Sequence, residues 1–143
     1  MKNTPKEEAE VLLNLLLPFA EQQLQKYGEL LPVAAVMLTN GETRMIATYD
    51  GNEQPESQKV IDSTQQVFVR GAKSGDYKAT ALAYMVAVKN PDTGQKEDAI
   101  NINLDHKENY SIQLIYPYMV SKKILGGNNV QFFAPSGGKG EGK

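Results

Sequence analysis

The first thirty residues carry the apolar pattern of an amphipathic helix. Apolar side chains recur at intervals of four residues, namely Leu12, Leu16, Ala20 and Leu24. Thr4 followed by Glu7 is the signature of a capping box, which places the start of the helix at this point. Pro18 lies inside the pattern and removes one backbone hydrogen bond, so we expect a kink near 14–18 or two abutting helices. Gly28 is the predicted end.

A β-hairpin is predicted next. The apolar and partly β-branched segment 33–39 is followed by Asn40-Gly41 and then by an alternating segment over 42–49. Asn-Gly favours a two-residue type I′ turn, because both central residues of that turn need a positive φ.

A second amphipathic helix is predicted over residues 55–74. Val60 and Thr64 keep helical spacing on one face of this segment. Gly71 lies inside the helix and lowers its stability by about 1 kcal/mol relative to alanine. Gly75 is the predicted end of the helix.

The second half of the chain predicts an antiparallel meander of three strands, over 79–89, 97–105 and 110–118. The middle strand alternates Ile and Leu with Asn and Asp, which predicts one buried face and one polar face. Further elements are predicted along the remaining chain: a turn over 106–109, a short helix or turn over 119–125, a loop over 126–129 and a last edge strand over 130–133.

The order helix, two strands, helix, three strands predicts a two-layer α+β domain. In this fold an antiparallel sheet of about five strands has helices on one face. We expect the domain to span 1–134. Residues 135–143 contain four Gly and no apolar side chain after Pro135, so we expect a flexible tail there. The element order resembles that of roadblock and profilin-like domains, which implies a scaffold, a dimerisation unit or a small-ligand sensor.

Composition narrows the possible functions. The chain has 143 residues, 15 basic and 17 acidic side chains and a net charge of −2, which argues against a nucleic-acid partner. It has no Cys and one His, which excludes disulfides, thiol catalysis and multi-histidine metal sites. The apolar run 11–17 is too short for a signal peptide or a membrane span, so we expect a cytoplasmic protein without a membrane partner. We expect no cofactor.

No catalytic or metal-binding residue is predicted. Asp105, His106 and the nearby Asp98 are the first candidates for general-base catalysis, in which a carboxylate orients an imidazole. However, Asp105 and His106 are neighbours on a strand, so their side chains point to opposite faces. The turn 50–53 begins like a calcium loop, yet its twelfth position is Ile61 and not Glu. No phosphate-binding glycine motif and no Gly-x-Ser-x-Gly elbow occurs.

Two surfaces remain as candidate binding sites. The first is the polar face of the meander, with the side chains of Asn101, Asn103, Asp105, Ser111 and Gln113. It is either a plain solvent face, a recognition surface or dimer seam, or the lining of a pocket. The second is the cluster of Tyr116, Tyr118 and Met119 beside Pro117, because Tyr and Met are enriched in interfaces. The alternative is that these residues form the edge of the core, where Pro117 marks the end or edge of the strand.

Three hypotheses for the function follow. The first is a non-catalytic protein-interaction or assembly module that forms a homodimer through a sheet edge or a helix face, because edge strands invite pairing with a second chain. The second is a small-molecule binder, or an enzyme using carboxylates and amides, built on the polar sheet face. The third is a bacterial immunity or adaptor protein that binds a basic partner through its mild acidity.

Overall fold

The computed structural model describes residues 4–46, 57–90, 92–122 and 128–139. The elements in chain order are α1 (Pro5–Tyr27), β1 (Val33–Leu38), β2 (Thr43–Ile46), α2 (Ser57–Ser74), β3 (Tyr77–Lys89), β4 (Lys96–His106), β5 (Tyr110–Lys122), β6 (Asn128–Phe132) and β7 (Ser136–Lys139). Several predicted features lie outside the described residues: the end of the return strand at 47–49, the turn at 50–53, the helix start at 55–56 and the loop residues 126–127.

The strands form one antiparallel sheet in the order β2-β1-β3-β4-β5-β6. Strand β7 also pairs with β5, beside Ile112–Ile115, whereas β6 pairs with the later part of β5. The predicted two-layer α+β fold with an antiparallel sheet is therefore confirmed. Consecutive strands are neighbours from β3 to β6, as expected for hairpin connections.

Helix α1 is a single helix of 23 residues that continues through Pro18. Both hydrogen bonds of the predicted capping box are present, and Gly28 ends the helix with a φ of 73°. The alternative of two abutting helices is wrong. Pro18 is exposed, and so is Asn14, whose carbonyl loses its helical hydrogen bond to the proline and can be hydrated instead.

The main core lies between α1 and the sheet. The apolar stripe of α1 is fully buried against β1, β3, β4 and β6. Ala79, Ala81 and Ala83 line the β3 surface below the helix, and their small side chains let the helix approach closely. Larger side chains fill the space over β4, namely Ile100, Ile102 and Leu104.

The first hairpin does not contain the predicted type I′ turn. Gly41 has a φ of 93°, but Asn40 does not have a positive φ. Leu38 pairs with Glu42 across a three-residue connection, and the Gly41 N–H donates to the Leu38 carbonyl at 2.9 Å. The Asn40 side chain accepts from the Glu42 N–H at 2.9 Å, which stabilises this longer turn.

The meander is longer than predicted. β4 includes His106, so the turn is confined to 107–109, where Asn109 has a φ of 64°. The short helix or turn predicted over 119–125 is wrong for its described part, because β5 continues to Lys122. Its pairing with β6 is the reason: Tyr118 lies opposite Phe132, and Val120 lies opposite Val130.

Part of the predicted tail is a strand. Ser136–Lys139 forms β7 and pairs with β5 through backbone groups, which needs no apolar side chain. Residues 140–143 lie outside the described part of the chain, and the domain boundary at 134 stays a prediction.

Candidate functional site

A charged cluster lies where the first turn of α1 contacts the ends of β3 and β4. Glu8 is 8% exposed. Its Oε2 is 2.5 Å from Lys78 Nζ, and its Oε1 is 2.8 Å from His106 Nε2. Both carboxylate oxygens of Glu8 are therefore engaged, one by a cation and one by an imidazole.

The hydrogen bonds assign the tautomer of His106. The Glu108 N–H donates to His106 Nδ1 at 3.1 Å, so Nδ1 carries no proton. The proton is then on Nε2, which donates to Glu8 Oε1. The His106 side chain is completely buried. The arrangement is a Glu8–Lys78 ion pair supported by a neutral histidine donor.

Two opposing effects set the pKa of Glu8. Burial raises the pKa, whereas the hydrogen bonds from Lys78 and His106 and the charge of Lys78 lower it, and the net result is a pKa below the ordinary value of 4.5. The ionised carboxylate is thus the form that the folded protein favours.

This shift predicts a specific loss of stability in acid. Because the folded-state pKa of Glu8 is lowered, its contribution is complete above the ordinary value near 4.5 and is lost as the pH falls through the folded value. Between about pH 5 and about pH 3, the free energy of unfolding of the native chain should fall more steeply than that of Glu8→Gln. Urea unfolding across this range measures both slopes, and equal slopes would contradict the assignment.

The same cluster contains atoms that could ligate a metal ion. One ligand atom each from Glu8, His106 and Glu108 lies within 4.8 Å of the others. However, the Glu8 oxygens already bind Lys78 and His106, and His106 Nδ1 accepts a backbone N–H. Glu108 is largely exposed. Most of the ligand atoms are therefore already engaged within the protein. The Glu8–Lys78–His106 cluster is best explained as a clamp, that is, a set of polar contacts that joins α1 to the sheet.

Asp105 and His106 lie on opposite faces of β4, as the strand geometry predicts. Asp105 accepts from Ser111 Oγ at 2.7 Å on the polar face, while His106 faces α1. The carboxylate that pairs with His106 is Glu8, 98 positions away in sequence. A signal for it exists in the sequence, because Glu8 precedes Leu12 by four residues and so continues the apolar stripe of α1 with a charge.

The structure brings the five polar residues of the candidate binding face together. Gln113 Nε2 donates to Asn101 Oδ1 at 2.5 Å, and Asn101 Nδ2 donates to Asn103 Oδ1 at 3.1 Å. Asn101 is only 1% exposed, whereas Gln113 is exposed. None of these side chains lines the cavity on α2 or the groove beside α1; instead they bond to one another. Their binding role stays a prediction.

The aromatic members of the second candidate surface belong to the edge of the core. Tyr118 is buried and donates to Met85 Sδ at 3.4 Å, and Tyr116 is half-buried. Both rings contact Phe132 edge to face, at centroid distances of 6.2 and 6.3 Å. Burial raises the pKa of both phenols. Met119 alone of the three predicted interface residues is well exposed, at 62%.

Strand β6 ends the main path of the sheet and has an uncharged sequence, Asn-Asn-Val-Gln-Phe. Asn129 and Gln131 are exposed, while Val130 and Phe132 pack against the core. Asn128 donates to the carbonyls of Leu24 and Gln25 at 3.3 Å and so ties the strand to the end of α1.

Comparison with known proteins adds no relative: no family model, no curated protein and no solved structure matches the chain. Neither described helix has an apolar stretch long enough to cross a membrane.

Proposed function

We propose that the protein is a non-catalytic interaction module that assembles as a homodimer by pairing its β6 edges. The observation that carries this proposal is the chemistry of β6. A cytoplasmic location is part of the proposal, since a chain without cysteine gains no disulfide from an oxidising compartment.

Strand β6 itself lacks charges and Pro, and the register shift and Pro135 on this edge lie beyond its end, between β6 and β7. Proteins commonly block an exposed edge with Lys, other charges, Pro or a bulge. Residues 128–132 contain no charged residue and no Pro, and their pairing with β5 is in continuous register. Such an edge favours pairing with another strand.

The direction of the backbone groups fits a second strand. The Phe133 N–H donates to the Pro117 carbonyl at 2.8 Å, so the backbone N–H and C=O groups of Phe133 point toward β5. Alternation along an antiparallel ladder then turns the backbone groups of Asn129 and Gln131 toward β5 as well. The N–H and C=O groups of Asn128, Val130 and Phe132 consequently point toward the open side of β6.

The edge is complementary to a second copy of itself. A two-fold axis at Val130 sets Val130 opposite its own copy and Asn128 opposite Phe132 of the second copy. The outward-pointing N–H and C=O groups of these three residues then face those of the second copy. Asn129 then lies opposite Gln131 of the second copy on the exposed face, where two amides can exchange hydrogen bonds. Met119, the register partner of Gln131, places an exposed apolar side chain on β5, one strand behind the seam.

Charge variants at the two exposed β6 positions test this pairing. In Asn129→Lys/Gln131→Lys, two Lys–Lys contacts cross the seam, so we expect the dimer dissociation constant to rise about tenfold or more. In the matched variant Asn129→Lys/Gln131→Glu, the same register brings Lys opposite Glu, and we expect the dimer to persist. Light scattering over a concentration series measures both constants.

Both positions are exposed, so both variants should fold like the native chain, which circular dichroism checks. Equal dissociation constants for the two variants would contradict pairing through β6 in this register.

A further inference from the structure

A groove separates α1 from the outer part of the sheet. It has a volume of about 240 Å³. Its floor is apolar and consists of Leu13 from α1 with Leu104, Ile112 and Leu114 from β4 and β5. The first turns of α1 supply Lys6 and Glu10 at the rim.

The groove follows from the course of the elements. Helix α1 packs mainly against β1, β3, β4 and β6, whereas its contact with β5 is small. Leu104 is completely buried, whereas Ile112 and Leu114 are half-buried. The floor is therefore a part of the core surface that α1 leaves accessible.

The rim carries one positive and one negative side chain. Lys6 and Glu10 are separated by one helical turn, which puts their Cβ atoms about 6 Å apart. In the part of the chain that the structure describes, no ion pair within 4.0 Å engages either of them. Asn14 continues this rim with an amide that can donate and accept, and Tyr110 adds a hydroxyl.

We propose that the α1–β5 groove binds a free α-amino acid with an apolar side chain. The Lys6 ammonium complements the ligand carboxylate, the Glu10 carboxylate complements the ligand ammonium, and the apolar floor accepts the side chain. The volume is below the range of about 300–1,000 Å³ that is typical for drug-sized ligands, which favours a ligand of this small size. The proposal is independent of dimerisation.

Titration with four related compounds tests the charge requirement. L-leucine carries both charges and the apolar side chain; 4-methylpentanoate lacks the ammonium, isoamylamine lacks the carboxylate, and glycine lacks the side chain. In ¹H–¹⁵N NMR spectra, L-leucine should shift signals from residues 10–14 and 110–114, and each of the other three should bind at least about tenfold more weakly. No shift with about 10 mM L-leucine, or equal binding of 4-methylpentanoate or isoamylamine, would overturn the proposal.

Rim variants provide the second arm of the experiment. Lys6→Gln and Glu10→Gln change exposed side chains and should each weaken L-leucine binding about tenfold without loss of fold. Lys26→Gln, at the exposed far end of α1, is the matched control and should bind like the native chain. Native-like affinity in both rim variants would rule out the rim charges as ligand contacts.

Discussion

Replacing Glu8 with alanine is expected to lower the free energy of unfolding by about 3 kcal/mol at neutral pH. The change leaves the buried His106 Nε2–H without its acceptor and the Lys78 ammonium without its counter-ion. The loss of stability would be larger if the Lys78 side chain were completely buried, but this side chain is 18% exposed and can regain some hydration. For a chain of this size, the expected fall in Tm is about 10 °C.

Urea unfolding followed by far-UV circular dichroism measures this loss. Glu10→Ala is the matched control, because Glu10 is exposed on the same helix and lies two residues away. We expect the control to change the free energy of unfolding by less than about 0.5 kcal/mol. A similar loss in both variants would show that the clamp between α1 and the sheet is not an important source of stability.

The second large effect on the free energy of unfolding is expected for Gly71→Ala in α2. Its direction should be opposite to the one that helix propensity predicts. Propensity alone predicts a gain of about 1 kcal/mol. In the structure, however, a Cβ on Gly71 would overlap ring atoms of Tyr77, the first residue of β3. Overpacking of this kind costs about 1–3 kcal/mol, so the variant should be less stable than the native chain.

A double-mutant cycle isolates this cause. In a Tyr77→Ala background the ring is absent, so Gly71→Ala should stabilise the protein by up to about 1 kcal/mol. Ser63→Ala, at an exposed position of α2, is the control for propensity without a clash. If Gly71→Ala stabilised the native chain, the close packing of α2 against Tyr77 would be refuted.

These two sites show which parts of the fold the sequence could predict. Helix α1 was predictable because its cap, its apolar period and Gly28 are local signals that agree with one another. Gly71, by contrast, looks unfavourable in its local context, and only the position of Tyr77 after the chain reverses explains it. The turn at Asn40 was mispredicted because the Asn side chain stabilises a longer connection than the dipeptide itself favours.

The candidate sites, too, were predictable only where local sequence signals determine them. Alternation along β4 and β5 correctly predicted that Asn101 and Gln113 share a face, since residue order determines strand faces. It could not predict that Asn101 is buried, because burial depends on the surrounding elements. The place of Glu8 in the apolar stripe of α1 indicates a buried charge, but it could not identify His106 as the partner, since the two positions are 98 residues apart.

Homodimerisation of the native chain can be measured from its molar mass in solution. Sedimentation equilibrium over a range of concentrations measures this mass without a label or a partner. Pairing of two β6 edges predicts a species of twice the 15.8 kDa chain mass, with a monomer appearing only on dilution. A single species of 15.8 kDa at every concentration would contradict the proposed assembly.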